Sequence, residues 1–328
     1  MPAAKKVAIV GGETHIGEVT KLAGSRLEIV GAAVREEQMD AASKQFGGFV
    51  TTDFRLLLDR TRPEIVAVAN ENDRKAEVCL EALRRGMHVI ADKPIAITLE
   101  DTRALRDAAA KANRRVLLLL TLRGHPEYRK AREIVLSGEV GEPLQIYGKM
   151  SVELKWGQRP LWFFDRRRSG GPILDLAIHM VDQFEWVTGR RLVEVFALER
   201  DSGRCDAPHL VDCGAALFRL DNGGTALLEF NRLMPGGTGS DYRLCVVGTR
   251  GQIDLRMGAW LRVLTAGGWR SFDAALLGPP ESVVENWLDA LENRVAALVP
   301  ENASFRANEI CCLAALSAAE RARVPIET

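Results

Sequence analysis

The stretch KKVAIVGGETHIGEVTKLAGSRLEIVGAAVREE, residues 5–37, decides the fold. Two short apolar runs, at 6–10 and 27–34, flank a glycine-containing turn and an amphipathic segment. This is the order strand, turn, helix, strand. Because two parallel strands need a crossover of this kind, the stretch predicts the first βαβ unit of a parallel sheet.

The same alternation continues over the first 120 residues or so. Apolar runs of strand length recur near Phe49 and at 64–69, 88–91 and 115–121, with helix-length segments between them. One segment, TLEDTRALRDAAAKA, begins with Thr98 and Asp101 at the spacing of a capping box. The runs are apolar enough to be buried on both faces, so residues 1–122 are predicted to form a Rossmann-type dinucleotide-binding domain.

After residue 122 the pattern changes. The segment HPEYRKAREIVLSG, residues 125–138, is a predicted helix with Pro126 in its first turn and Gly138 at its end. Longer alternating stretches follow, such as LQIYGKMSVELKW and TALLEFNRL, and helical segments near 282–298 and 305–323 close the chain. Alternation indicates strands with one face in a core, so residues 123–328 are predicted to form an α/β domain on a largely antiparallel sheet.

The composition favours a small-molecule partner. The chain has 44 Lys plus Arg and 44 Asp plus Glu, so it carries no net charge with which to bind nucleic acid or an anionic membrane. The six cysteines are scattered, which is typical of free thiols in a reducing compartment. The sequence opens without signal-peptide features and its apolar runs are short, so we predict a cytoplasmic protein.

The glycine turn leaves two alternatives open. Its better alignment to G-x-G-x-x-G uses Gly12, Thr14 and Gly17, with threonine in place of the middle glycine that normally lets the backbone approach a pyrophosphate. The turn is therefore either a phosphate-binding loop or a strand-to-helix turn without a ligand. At the end of the second run stands Arg35 rather than an acidic residue, which favours NADP over NAD.

Two further segments carry residues suited to acid–base chemistry. Lys93 follows a predicted strand, at the edge where parallel sheets bind ligands, and it can donate to an oxygen that gains charge during a reaction. Asp175 and His179 are four residues apart in a predicted helix, so a carboxylate and an imidazole share one face. A metal held by Asp175, His179 and Asp182 is the weaker alternative, and we predict no metal.

The order of five motifs along the chain resembles the Gfo/Idh/MocA family, named for glucose-fructose oxidoreductase and inositol dehydrogenase. The motifs stand here as GGETHIG at 11–17, NEN at 70–72, DKP at 92–94, RGHP at 123–126 and SGGPILDLAIHMVD at 169–182. The closing SAAERARVPIE also resembles the last helix and tail of this family, so the resemblance runs from end to end.

The resemblance implies a Rossmann domain that binds NADP or NAD, and a second α/β domain with a large open, mainly antiparallel sheet. The exposed face of that sheet implies a homodimer or homotetramer. The cofactor-binding positions that it implies are Gly11, Gly12, Thr14, His15, Ile16, Gly17, Arg35, Asn70, Glu71, Asn72, Asp92 and Lys93.

By the same resemblance, His179 takes the proton of a substrate hydroxyl, Asp175 orients its imidazole, and Lys93 hydrogen-bonds the reacting oxygen. Candidate substrate contacts are Arg123, Lys155 and Trp162. The chain departs from the family pattern at the cofactor motifs, where Thr14, Asn70-Glu71, Asp92 and Gly124 replace the usual residues. Altered cofactor binding with an intact catalytic trio is the interpretation that these departures favour.

These observations predict an NAD(P)-dependent oxidoreductase that acts on a carbohydrate or polyol. One alternative is an enzyme that retains its cofactor and uses transient oxidation to process a glycoside. The other is a ligand-binding or regulatory protein without catalytic activity on the same fold. The presence of lysine, aspartate and histidine together argues against this last alternative.

Overall fold

A computed structural model of the chain describes residues 4–12 and 14–327. The chain divides into two compact units. The first contains the chain up to Leu120 and returns to include Ser282–Asn308. The second contains Thr121–Glu281 and the chain from Glu309 onward.

The first unit is built on a parallel sheet, which in the described residues has six strands in the order β3-β2-β1-β4-β5-β6. Its central strands are buried on both faces, as Ile65–Val68 shows, because helices cover both sides. The strands are β1 (Lys5–Val10), β2 (Leu27–Ala33), β3 (Phe49–Thr51), β4 (Ile65–Val68), β5 (His88–Ala91) and β6 (Val116–Leu118).

The helices of the first unit follow the strands in alternation. They are α1 (Gly17–Thr20), α2 (Met39–Phe46), α3 (Phe54–Thr61), α4 (Asn72–Arg84) and α5 (Leu99–Ala112), and α9 (Val283–Leu291) belongs to the same unit. Thr98 caps α5 as predicted, since its side chain accepts a hydrogen bond from the Asp101 backbone N–H. The sequence does not reveal that the segment 282–308 packs with this unit.

The second unit is built on a mixed sheet, whose described part has nine strands in the order β14-β13-β12-β11-β7-β10-β9-β8-β15. The pair β7 and β10 is parallel, and the other neighbours are antiparallel. The strands are β7 (Pro143–Glu153), β8 (Leu192–Arg200), β9 (Cys213–Leu220), β10 (Thr225–Met234), β11 (Asp241–Gly248), β12 (Gln252–Arg256), β13 (Trp260–Thr265), β14 (Gly268–Asp273) and β15 (Val324–Pro325).

One face of this sheet is packed by helices. The helices of this unit are α6 (Pro126–Leu136), α7 (Arg166–Ser169), α8 (Ile178–Thr188) and α10 (Glu301–Glu320), of which α10 begins in the first unit. Gly148 of β7 lets α8 approach, because a Cβ atom there would lie 2.6 Å from Met180 and 2.7 Å from Phe184. On the opposite face leucines are exposed, including Leu217 and Leu227, which pair across β9 and β10.

The architecture confirms the sequence-based fold prediction. All six predicted strands of the Rossmann sheet are present, and the second sheet is large, open and mainly antiparallel. Helix α6 begins at Pro126, and Gly138, with φ +77°, follows its end. Across residues 4–12 and 14–327, no helix combines the length and the apolar character needed to cross a membrane.

Candidate cofactor and catalytic sites

A crevice lies at the carboxyl ends of the strands of the first unit. The strands β1 and β4 are neighbours at the centre of the sheet. The strand that follows β1 in the chain, β2, lies on one side of this pair, and the strand that follows β4, β5, lies on the other. Open parallel sheets bind ligands at such a reversal of strand order. A cavity of 390 Å³ lies there, and its lining includes Gly11, Val34, Arg35, Asn70, Glu71 and Arg74.

The glycine loop starts at a position that only glycine tolerates. Gly11 has φ +82°, and a Cβ atom on it would lie 2.4 Å from the backbone of Ala69 and Asn70. The loop therefore crosses directly over the end of β4. A Cβ atom on the next residue, Gly12, would meet nothing within 4 Å, so open space adjoins the loop at that point.

The remainder of the loop is compact. It forms a 3-10 turn, Thr14–Ile16, and α1 begins at Gly17. Ile16 is buried and anchors the turn in the core. Thr14 was predicted to contact the cofactor, and its side chain lies outside the part of the chain that the structure describes.

His15 connects the glycine loop to Asp92 through its side chain. Its Nδ1 atom lies 2.7 Å from Oδ1 of Asp92, which follows β5. The same carboxylate oxygen accepts a hydrogen bond from the backbone N–H of Lys93 at 2.8 Å. Burial alone would raise the pKa of Asp92, but the nearby charges of His15, Lys75 and Lys93 hold that pKa well below its usual range. The Asp92 carboxylate thus connects the glycine loop to the lysine segment.

The NEN segment supplies residues to the crevice and to its floor. Asn70 and Glu71 line the cavity. The buried Oδ1 atom of Asn70 has no hydrogen-bond partner in the described part of the protein. Asn72 is buried, and its Oδ1 atom accepts a hydrogen bond from Lys75 at 3.0 Å.

Arg35 lies at the end of β2 and lines the cavity, where it was predicted to bind a ribose phosphate. Its Nε atom is 3.1 Å from Glu37 and 3.5 Å from Oε1 of Gln38. The Arg35 side chain is 29% exposed. These contacts hold the arginine at the rim of the cavity.

The second unit carries Asp175 and His179 on two consecutive helical segments. Asp175 lies in a π-helical turn, Ile173–Ala177, and His179 lies in α8. Each of the two residues is 5% exposed. Turns of this kind are rare and occur frequently at functional sites. The Asp175 carboxylate accepts a hydrogen bond from Arg232 of β10, a contact that the sequence analysis did not include.

Arg123, a predicted substrate contact, forms a buried ion pair. Its Nε and Nη2 atoms donate to the two carboxylate oxygens of Asp182 at 2.8 and 2.6 Å. Burial raises the pKa of Asp182, and Arg123 offsets only part of that rise. A substrate role for Arg123 stays a prediction.

The other two predicted substrate residues have different surroundings. Lys155 is exposed and adopts a left-handed backbone, with φ +57°. Trp162 is buried beside Phe163, and its Nε1–H finds no acceptor within residues 4–12 and 14–327. An unsatisfied buried donor of this kind is suited to a polar ligand. In the same residues, no group of three or more His, Cys, Asp or Glu side chains could hold a metal ion.

Comparison with known proteins identifies the family. Residues 5–119 match the model described as the oxidoreductase family with an NAD-binding Rossmann fold. Residues 128–254 match the model of the GFO/IDH/MocA C-terminal domain. The chain belongs to the Gfo/Idh/MocA family of oxidoreductases.

Three relatives illustrate its position in the Gfo/Idh/MocA family. Inositol 2-dehydrogenase 2 of Saccharopolyspora erythraea is 25% identical over 76% of this chain and 71% of its own length. The structure of an oxidoreductase from Thermotoga maritima has a TM-score of 0.90 and 25% identity, covering 98% of this chain and all of that one. Levoglucosan dehydrogenase in complex with NADH and L-sorbose has a TM-score of 0.83 and 20% identity, with 99% of both chains covered.

The crevice of this Gfo/Idh/MocA member fits a dinucleotide. The buried Oδ1 atom of Asn70 has no partner among the described residues, and a ribose hydroxyl would supply the donor that it needs. The open space beside Gly12 admits a pyrophosphate close to the backbone, although Thr14 replaces the usual middle glycine. The cavity also has the position expected of a dinucleotide site in this fold.

Sequence reasoning missed two buried cations, Lys75 and Arg232. The sequence carries a pattern that indicates each of them. Lys75 lies on the apolar stripe of α4 with Cys79 and Ala82, where a lysine is unusual. Arg232 continues the alternation of Leu228 and Phe230 on the buried face of β10. A charged residue on a core-facing pattern predicts a buried polar contact.

Proposed function

We propose that this chain transfers a hydride between a hydroxyl-bearing carbon of a sugar or polyol and the nicotinamide of NADP or NAD. The observation that carries the proposal is the crevice at the strand ends with the Asn70 Oδ1 atom, which has no partner among the described residues, in a chain of this oxidoreductase family. Relatives named inositol 2-dehydrogenase and levoglucosan dehydrogenase support a carbohydrate substrate.

Residues of the first unit would hold the cofactor. The backbone at Gly11 and Gly12 would face the pyrophosphate, Asn70 and Glu71 would accept from ribose hydroxyls, and Arg35 would face the adenosine end. When bound, the nicotinamide supplies the hydride acceptor or donor.

Residues of the second unit would handle the proton. His179 takes the proton from the substrate hydroxyl as general base during oxidation and returns it during reduction. Asp175 orients the imidazole, and Arg232 neutralises the Asp175 carboxylate within the buried surroundings. The proposal assigns Lys93 to the reacting oxygen, where a cationic donor stabilises developing negative charge.

A fluorescence titration with NADH and with NADPH tests the proposal. Saturable binding of at least one is expected, followed by cofactor-dependent turnover in a panel of sugars and polyols. Binding of neither would remove the oxidoreductase function. Product formation without added cofactor would instead identify the cofactor-retaining alternative, because a net redox enzyme consumes one cofactor per turnover.

The variant Arg35→Ala is expected to raise the dissociation constant of NADPH by about tenfold or more and to leave that of NADH nearly unchanged. A charge-assisted hydrogen bond to a phosphate contributes about 1.5–3 kcal/mol, and only NADPH has the 2′-phosphate. Isothermal titration measures both constants. Arg60→Ala, which removes an exposed arginine of α3 outside the cavity lining, is the matched control. Equal weakening of both cofactors would contradict the assignment.

We further propose that the open face of the second sheet forms the contact in a homodimer or homotetramer. Leu198, Leu217 and Leu227 are 53%, 49% and 43% exposed on adjacent strands. Contiguous apolar side chains at a surface mark interaction sites. Sedimentation of the purified protein measures the assembly.

A further inference from the structure

Lys75 is a fully buried lysine in the first unit. Its side chain projects from α4, and the residue is 1% exposed. Its Nζ atom donates hydrogen bonds of 3.0 Å to Oδ1 of Asn72 and 3.0 Å to the backbone carbonyl of Asp92. Because burying an ammonium group costs several kcal/mol unless it is compensated, such a lysine needs a buried negative charge nearby.

Asp92 supplies that charge. It is 3% exposed, and Lys75 is one of the cations whose charge lowers the pKa of its carboxyl group. The Oδ1 atom of this carboxylate lies against His15 and also accepts a hydrogen bond from the backbone N–H of Lys93. One buried carboxylate therefore joins the glycine loop to the segment that presents Lys93.

The segment that follows Lys93 is held independently. Asn308 is buried; its Oδ1 atom accepts from the backbone N–H of Ile95 at 3.1 Å, and its Nδ2 atom donates to the carbonyl of Ala96 at 3.0 Å. The downstream side is thus fixed by an amide. On the upstream side, Lys75 donates a hydrogen bond to the Asp92 carbonyl. The orientation of Lys93 therefore depends on the contacts of the residues that precede it and of those that follow it.

We propose that Lys75 is a positioning residue, whose buried ammonium holds the Asp92 backbone and balances the Asp92 carboxylate that fixes His15 and Lys93. The proposal rests on the function proposed above, since it takes the glycine loop and Lys93 as parts that meet cofactor and substrate. Lys75 itself is buried and does not belong to the cavity lining. Its effect is transmitted through Asp92, because groups that act in hydride transfer must be placed to within a fraction of an ångström.

The test compares Lys75→Met, which keeps most of the side-chain volume and removes the ammonium, with Lys111→Met on the exposed side of α5. For Lys75→Met we expect the NADH dissociation constant to rise about tenfold and kcat to fall about tenfold or more at saturating cofactor. The sugar KM is expected to change less than about threefold, since no substrate contact is removed. Unchanged kcat and NADH affinity in Lys75→Met would overturn the proposal.

The double variant Lys75→Met with Asp92→Asn separates positioning from folding. Lys75→Met alone is expected to lower the melting temperature, and the double variant, which removes the buried ammonium and the buried carboxylate together, is expected to regain much of that loss. Kcat and NADH affinity are expected to stay low, because a neutral amide binds the imidazole less strongly than a carboxylate. Full recovery of both together with the melting temperature would overturn the proposal. Failure of the wild-type protein to bind either cofactor would instead refute the proposed function, a distinct result.

Discussion

Replacing His179 with asparagine is expected to lower kcat for sugar oxidation by a factor of about 10²–10⁴, the usual contribution of a general base. Asparagine is polar and close in size to histidine, but it cannot take up the proton that leaves the hydroxyl as hydride transfer proceeds. The residue is 5% exposed in α8, so the substitution keeps a hydrogen-bonding group in a buried position. Steady-state rates at saturating sugar and cofactor measure the loss.

Two controls separate chemistry from binding and folding. The cofactor crevice is lined by residues of the first unit, whereas His179 belongs to the second, so NADH affinity should be unchanged in the variant. The melting temperature should stay within a few degrees of the wild-type value. A variant that retains kcat within about threefold would rule out His179 as the base.

The sequence predicts the fold well where local pattern and burial agree. The strand β5 coincides with its predicted bounds, 88–91, because a short apolar run buried on both faces has no competing interpretation as an amphipathic helix. Helix α5 begins as predicted at Leu99, because the Thr98 cap fixes its first turn. These features depend on neighbouring residues alone.

The features that the sequence does not predict depend on irregular geometry or distant contacts. The sequence pattern does not indicate strand β8, whose pairing with β9 shifts register between Leu192 and Glu194 and so breaks the alternation of buried residues. The π-helical turn Ile173–Ala177 likewise has no local signature, since the spacing of Asp175 and His179 suits an ordinary α-helix equally well. The assignment of 282–308 to the first unit is a tertiary property.

The candidate site shows the same limit. The crevice residues follow from strand ends, so Gly11, Arg35 and Asn70 could be placed at one edge of the sheet from the sequence. The partners of the buried charges could not be predicted from the sequence, because Arg232 is 57 positions from Asp175 and Arg123 is 59 positions from Asp182. The sequence shows that a charge needs compensation, but only the folded chain shows which group provides it.

Replacing Arg123 with methionine is expected to destabilise the protein by about 3–5 kcal/mol at neutral pH, the typical cost of leaving one member of a buried ion pair uncompensated. Arg123 and Asp182 are both at least 94% buried as side chains and form two short hydrogen bonds. Denaturant unfolding of wild type and variant measures the difference. Lys130→Met breaks the exposed pair with Glu133 on α6 and should cost below about 1 kcal/mol.

The loss should depend on pH in a defined direction. Burial raises the pKa of Asp182 above its unfolded value, so folding takes up a proton between the two values and stability falls as pH rises through that window. Removing the positive charge of Arg123 raises the folded-state pKa further, which makes the variant lose more stability toward neutral pH and recover part of it in acid.

Adding Asp182→Asn to Arg123→Met should restore much of the stability, because no buried charge then remains without a partner. This recovery distinguishes the structural role of Arg123 from the substrate contact predicted from the sequence. A single Arg123→Met variant with unchanged unfolding but a higher sugar KM would show that the guanidinium binds substrate rather than balancing Asp182. The Nε and Nη2 atoms of Arg123 already donate to Asp182. We therefore expect the loss of stability to be larger than any change in the sugar KM.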